Sequence, residues 1–212
     1  MKRNLPFLLM LLMGAALLVP AAADAQGFAQ KDPPKVQITP FAGYQFGGSV
    51  SSDLFDSKYS FGSGLSYGGT IDFAISHSWR LELYYSRQDT QLEASRANLD
   101  LFDLKIERLM VGLMEEKGEG SVKYFGSLLL GATRYQPGTG EFSGSTHFSA
   151  GLGLGVKTFF TDNVGLRFEG HAFYTVVESN GGMFCVDGTC LFNFSGRGIW
   201  QGDLAAGLII AF

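Results

Sequence analysis

Eight stretches of this chain alternate apolar and polar residues at every second position, and that period limits what the chain can become. They cover residues 36–47, 63–75, 79–91, 103–115, 121–135, 146–160, 164–177 and 196–212. A period of two marks a β-strand with two unlike faces. Each stretch is roughly 12 to 16 residues long, against about 5 or 6 for a globular strand. No segment sustains a helical period. The connections take turns in length. Short ones fall at residues 76–78, around Gly118 and Gly120, and at residues 161–163. Long ones follow residue 47, surround residues 92–102, span 136–145 and span 178–195. Strands running up and down place all short turns at one end and all long loops at the other. Both termini then fall at the short-turn end. The pattern predicts an all-β, eight-stranded antiparallel up-and-down barrel over residues 36–212.

The strands can be sorted into faces. Leu81, Leu83 and Tyr85 oppose Arg80, Glu82 and Tyr84. Ile71 and Phe73 oppose Thr70 and Asp72. Leu152, Leu154 and Val156 oppose Gly151, Gly153, Gly155 and Lys157. Leu166 and Phe168 oppose Arg167, Glu169 and His171. In the last strand Leu204, Ala206, Leu208, Ile210 and Phe212 oppose Asp203. Arg108 falls on the polar face, against Leu109, Val111 and Leu113.

Alternation alone does not say which face is outside, because a soluble ligand-binding barrel points its apolar face inward. Three features place the apolar face against lipid. The polar face mixes glycines with long charged residues, which suits a crowded interior; the chain holds 29 Gly but only 6 Pro. The strands exceed the roughly 9 to 11 residues that a tilted strand needs to cross hydrocarbon. The apolar face also carries aromatics near both ends, the paired girdle of a membrane barrel. Trp79, Tyr124, Phe160 and Phe212 lie near the turn end; Tyr44, Phe46, Tyr85 and Trp200 lie near the loop end. A membrane tolerates no open sheet edge, so the first and last strands must pair.

Residues 1–25 read as a separate object, a cleaved signal peptide. Lys2 and Arg3 precede an apolar run over residues 5–19, Pro20 ends it, and Ala23-Asp24-Ala25 offers small residues for cleavage. Residues 26–35 carry no period and read as a periplasmic lead-in. The chain has 16 Lys and Arg against 20 Asp and Glu, which gives no basic footprint for nucleic acid. Cys185 and Cys190 flank Asp187-Gly188, a favoured turn pair. In an exported chain they are expected to form a disulfide that stiffens a loop tip. No metal site and no cofactor are expected.

The signal segment, eight strands, three short turns, four long loops and terminal Phe212 together resemble the OmpA/OmpX/OmpW-type outer membrane barrels of Gram-negative bacteria. The stretch GLGLGVKTFFTDNVGLRFEGHAFYT is similar to the strand-turn-strand unit of such porin-like domains. That resemblance implies an outer membrane location among lipid and lipopolysaccharide, and insertion by the barrel-assembly machinery. It implies that Phe212 belongs to the signal this machinery reads. A monomer is expected.

The inward set holds Arg80, Arg108, Lys157 and Arg167 against Asp72, Glu82, Glu169 and Asp203, with His171 among them. Buried charges must pair, so a salt-bridged, filled lumen is expected. The expected role is non-enzymatic, structural or in surface interaction through the loops. The alternative is a narrow channel for small or hydrophobic solutes. A third reading rests on His147-x-Ser149, which faintly resembles the dyad of PagL-type lipid A deacylases. Those enzymes carry it on the lipid-facing wall, whereas the alternation places His147 and Ser149 inward, and no catalytic residue is assigned.

Overall fold

The computed structural model describes residues 34–52, 57–94, 99–138, 144–177, 182–186, 189–193 and 198–212. The signal-peptide reading and nearly all of the 26–35 lead-in lie outside these residues. Eight long strands form the wall: β1 (Val36–Phe46), β4 (Gly64–Ala74), β5 (Trp79–Ala94), β6 (Leu99–Lys117), β7 (Val122–Pro137), β8 (Ser145–Phe159), β9 (Val164–Val176) and β12 (Gly198–Ala211). Each pairs antiparallel with both neighbours. The circuit closes where the first strand meets the last, from Gln37 opposite Ala211 to Phe46 opposite Gly202. Closure removes every sheet edge within the wall. Val36 and Phe212 exchange backbone hydrogen bonds in both directions, at 3.3 and 2.9 Å, so the final residue is tied into the ladder.

The three short turns are held locally. Ile75 and Ser76 donate backbone N–H groups to the Trp79 carbonyl. Thr161 Oγ1 accepts from the backbone N–H groups of Asn163 and Val164. Asn163 Nδ2 donates to the Ala211 carbonyl at 2.7 Å, joining a turn to the last strand. The middle turn uses Gly118 and Gly120 at φ of 135° and 67°, where a side chain would be strained.

At the other end the strands run on past the apolar pattern. β5 and β6 stay paired up to Ala94 opposite Leu99, with a register shift between Leu92 and Glu93. Much of the stretch around 92–102, read from sequence as a long loop, is therefore strand. There the apolar–polar period of the sequence stops while the hydrogen-bonded ladder continues. Two short strands, β2 (Ser49–Ser52) and β3 (Ser57–Phe61), occupy the first connection, and β3 pairs with the end of β5. The last long connection carries a hairpin of β10 (Gly182–Val186) and β11 (Thr189–Asn193).

Side chains alternate strictly between lumen and exterior. Leu152, Leu154 and Leu208 are 60, 62 and 45 % exposed, while Arg167 and Lys157 are 1 and 0 % exposed. The barrel thus has an apolar exterior and an ionic interior, the opposite of a soluble container. Some lumen positions are also apolar. Phe41, Tyr84, Met110, Leu129, Phe173 and Ala205 form one buried cluster across the interior.

Candidate functional site

The lumen is built in three layers, each set by the parity of its strands. Toward the turn end lies an ionic layer centred on Arg167. Its Nη1 donates to Asp72 Oδ2 at 3.1 Å and to Thr70 Oγ1 at 3.1 Å. Its Nη2 reaches Glu82 Oε1 at 2.5 Å, and its Nε donates to Glu169 Oε2 at 2.6 Å. Lys157 Nζ bridges Asp72 Oδ2, Glu116 Oε1 and Gln37 Oε1 at 2.9, 2.5 and 2.8 Å. Arg80 Nε pairs with Glu116 Oε1 at 3.0 Å, and its Nη1 donates to the Pro34 carbonyl. Phe125 lies beneath the cations, its ring centroid 4.5 Å from the Arg167 guanidinium carbon. Each cation here meets at least one carboxylate, the condition under which ionised groups persist away from water.

The middle layer is the aromatic and aliphatic cluster. Phe41 stacks on Tyr84 at 5.5 Å between centroids, and Phe173 lies 5.7 Å from Tyr84. His171 joins its edge, stacked 5.3 Å from Phe173. His171 Nδ1 and Tyr84 Oη engage the two oxygens of Asp203, at 3.0 and 3.1 Å. This buried carboxylate is thus held from both sides.

Toward the loop end lies a polar layer around Arg108. Its Nη1 donates to Gln45 Oε1 at 2.7 Å and its Nη2 to Gln201 Oε1. Its guanidinium carbon lies 4.7 Å from the Phe173 ring centroid. Thr133, Ser149 and Thr175 form a hydroxyl chain with steps of 2.7 and 2.8 Å. Ser149 is fully buried and faces the lumen.

The structure brings Asp72, Arg80, Glu82, Lys157, Arg167, Glu169, His171 and Asp203 into contact within the lower two layers. It does not bring Arg108 there. Among the described residues no carboxylate pairs with Arg108, which corrects the grouping of all inward charges into one network. The ring of eight strands is tilted, so residues of like parity can stand at different heights. Two members escaped the sequence reading. Glu116 shares its parity with Arg108 but lies one residue past the apolar stretch that ended at 115. Lys123, 3.9 Å from Glu116 Oε2, lies on a strand whose faces the alternation did not sort.

On the outer wall Trp79, Tyr124, Phe160 and Phe212 are exposed near the turn end, and Tyr44, Tyr85 and Trp200 near the loop end. A shallow cleft of about 440 Å³ opens between the extended ends of β5 and β6, bordered by Gly62, Asp89 and Asp103. Its acids are already occupied. Asp89 accepts from Arg87 and Tyr67, and Asp103 accepts from Gln91.

A closed eight-stranded antiparallel barrel, apolar outside and ionic within, is an outer membrane architecture. The chain belongs to the outer membrane protein beta-barrel domain family, whose model matches residues 9–179. Three solved structures share the fold. Neisserial surface protein A is 20 % identical with a TM-score of 0.60, covering 84 % of this chain and 97 % of its own. AlkL, solved in lipid bilayers, is 8 % identical with a TM-score of 0.57 and coverages of 92 and 97 %. OprG from Pseudomonas aeruginosa is 13 % identical with a TM-score of 0.55 and coverages of 85 and 97 %. No curated protein matches the chain.

Proposed function

We propose that this outer membrane barrel is non-enzymatic, carries a sealed lumen, and acts through the surface it presents at its loop end. The observation that carries the reading is the middle layer. Phe41, Tyr84, Met110, Leu129, Phe173 and Ala205 are buried together between the ionic and polar layers. An ion crossing that septum would shed water against a largely apolar lining whose polar groups, Tyr84 Oη, His171 and Asp203, are bonded to one another, a cost of several kcal/mol or more. Below it, Arg80, Lys157 and Arg167 are bonded to carboxylates at 2.5–3.1 Å. A sealed barrel contributes a rigid mount for its loops, the usual seat of recognition.

The deacylase reading lacks support because Ser149 Oγ is engaged by Thr133 and Thr175 on the lumen side, away from any acyl chain. The remaining parts fit an exported membrane protein. Residues 1–25 serve as the signal peptide, and Phe212 as part of the signal read by the assembly machinery. The exposed aromatics at both ends sit at the two lipid boundaries, where an amphipathic ring is favoured, and contact outer membrane lipid and lipopolysaccharide. The barrel is monomeric. Cys185 stands directly opposite Cys190 across the β10–β11 pair. Facing residues in such a ladder lie about 4.5–5.5 Å apart at Cα, within disulfide range, and we assign a disulfide there.

The test is conductance of the refolded chain in planar bilayers. Wild type is expected to stay at the lipid baseline, whereas Phe173→Ala/Met110→Ala, which opens the septum, is expected to show small steps. Regular wild-type openings would overturn the sealed-lumen reading in favour of a channel.

A further inference from the structure

We infer that the loop-side layer of the lumen is a binding site for one small monovalent anion, held by Arg108 together with the carboxamides of Gln45 and Gln201. Arg108 is 0 % exposed, Gln45 1 % and Gln201 4 %. Among the described residues, every inward carboxylate is engaged elsewhere. Asp72, Glu82, Glu116 and Glu169 are taken by Arg80, Lys157 and Arg167. Asp203, opposite Gln45 in the β1–β12 register, has both oxygens occupied by His171 and Tyr84. Among the described residues, Arg108 is therefore a buried cation whose partners are two neutral amides and an aromatic ring. A full charge withdrawn from water calls for a counter-charge.

The hydrogen-bond directions point the same way. Both glutamine oxygens face the guanidinium, which leaves Gln45 Nε2 and Gln201 Nε2 without acceptors, and Arg108 Nε likewise lacks one. Flipping either amide would set N–H against N–H, so the donor surplus is built in. Ser86 stands directly opposite Arg108 in the β5–β6 register. Gln88 Oε1, an unpartnered acceptor, makes no hydrogen bond with any of these donors. Three buried nitrogen donors without acceptors, beside a single positive charge, make the chemistry of an anion site. Gly48 at φ 99° lies over Gln201, where even a Cβ would come within 3.2 Å of its Nε2. Phe61, stacked 5.7 Å from Tyr135, forms the roof. The septum of Phe41, Tyr84 and Phe173 forms the floor, so the anion binds without passing through.

The probe is bromide, followed by the ⁸¹Br NMR linewidth with the full chain refolded in detergent micelles and folding checked by heat-modifiable gel migration. Wild type is expected to broaden bromide well above a micelle blank, with formate competing. Arg108→Met is expected to fall to the blank. Gln45→Leu/Gln201→Leu keeps the guanidinium and is expected to weaken bromide at least tenfold. Absence of excess broadening in the wild type overturns the site, as does equal broadening in folded Arg108→Met. Should Arg108→Met fail to fold, the glutamine variant decides: undiminished bromide binding in it overturns the assignment.

Discussion

Replacing Arg167 with Met probes the energetics of the lower lumen most directly. The methionine fills similar volume but removes the group that contacts Asp72, Glu82 and Glu169 at 3.1, 2.5 and 2.5 Å. Asp72 keeps Lys157 at 2.9 Å. Glu169 keeps only His171, at 3.8 Å, and Glu82 keeps no cation among the described residues. Breaking a buried pair from one side costs about 3–5 kcal/mol, because the abandoned charge remains away from water. At about 1.4 kcal/mol per decade, the folding equilibrium should fall by roughly two to three and a half powers of ten. Urea unfolding in lipid vesicles reads this through Trp79 and Trp200, both on the lipid-facing wall. Arg167→Met/Glu82→Gln should recover part of the loss, since it removes one abandoned charge. Lys123→Met is the comparison. Lys123 is 23 % exposed and 3.9 Å from Glu116, so its loss should stay below about 1 kcal/mol. A loss under about 1 kcal/mol for Arg167→Met, or no recovery in the double variant, would refute the reasoning.

Three further outcomes are expected. Leu152→Arg puts a charge on the outer face midway along β8 and should lower vesicle-embedded stability by about 2–4 kcal/mol; a neutral result would argue against lipid contact there. At Gly112 a Cβ would stand 2.8 Å from Leu129 Cδ2 and 2.9 Å from the Leu128 carbonyl carbon. Gly112→Ala should therefore cost about 1–3 kcal/mol. Outward Gly126, whose Cβ would meet nothing nearer than Leu154 Cδ2 at 3.5 Å, should tolerate Ala within about 0.5 kcal/mol. Intact mass before and after reduction should differ by two hydrogens, and alkylation without reductant should leave Cys185 and Cys190 unmodified; labelling of both would remove the proposed disulfide.

The wall of the barrel was legible because each of its strands must satisfy two solvents at once. Leu81 and Glu82, or Leu152 and Gly153, differ in kind because one meets lipid and the other a packed interior. That contrast survives in a single sequence. The extended ends of β5 and β6 were not legible, because the apolar–polar period stops there and only the backbone ladder records the strand. Glu116 was missed for a related reason: the apolar stretch of β6 stops before the inward row does.

The sequence by itself determined the eight strands of the wall and the parity of the charged residues on the strands it sorted. Parity needs only the two-residue repeat of the backbone. Partnership is a different quantity. It depends on how strands tilt and stagger around the closed wall, which sets the height of each inward side chain. That geometry delivers Glu116 to Lys157 and Arg80, gives Asp203 to His171 and Tyr84, and leaves Arg108 among amides instead of acids. Coulomb attraction over a few ångströms then decides which charges neutralise one another, and those distances exist only once the barrel has closed.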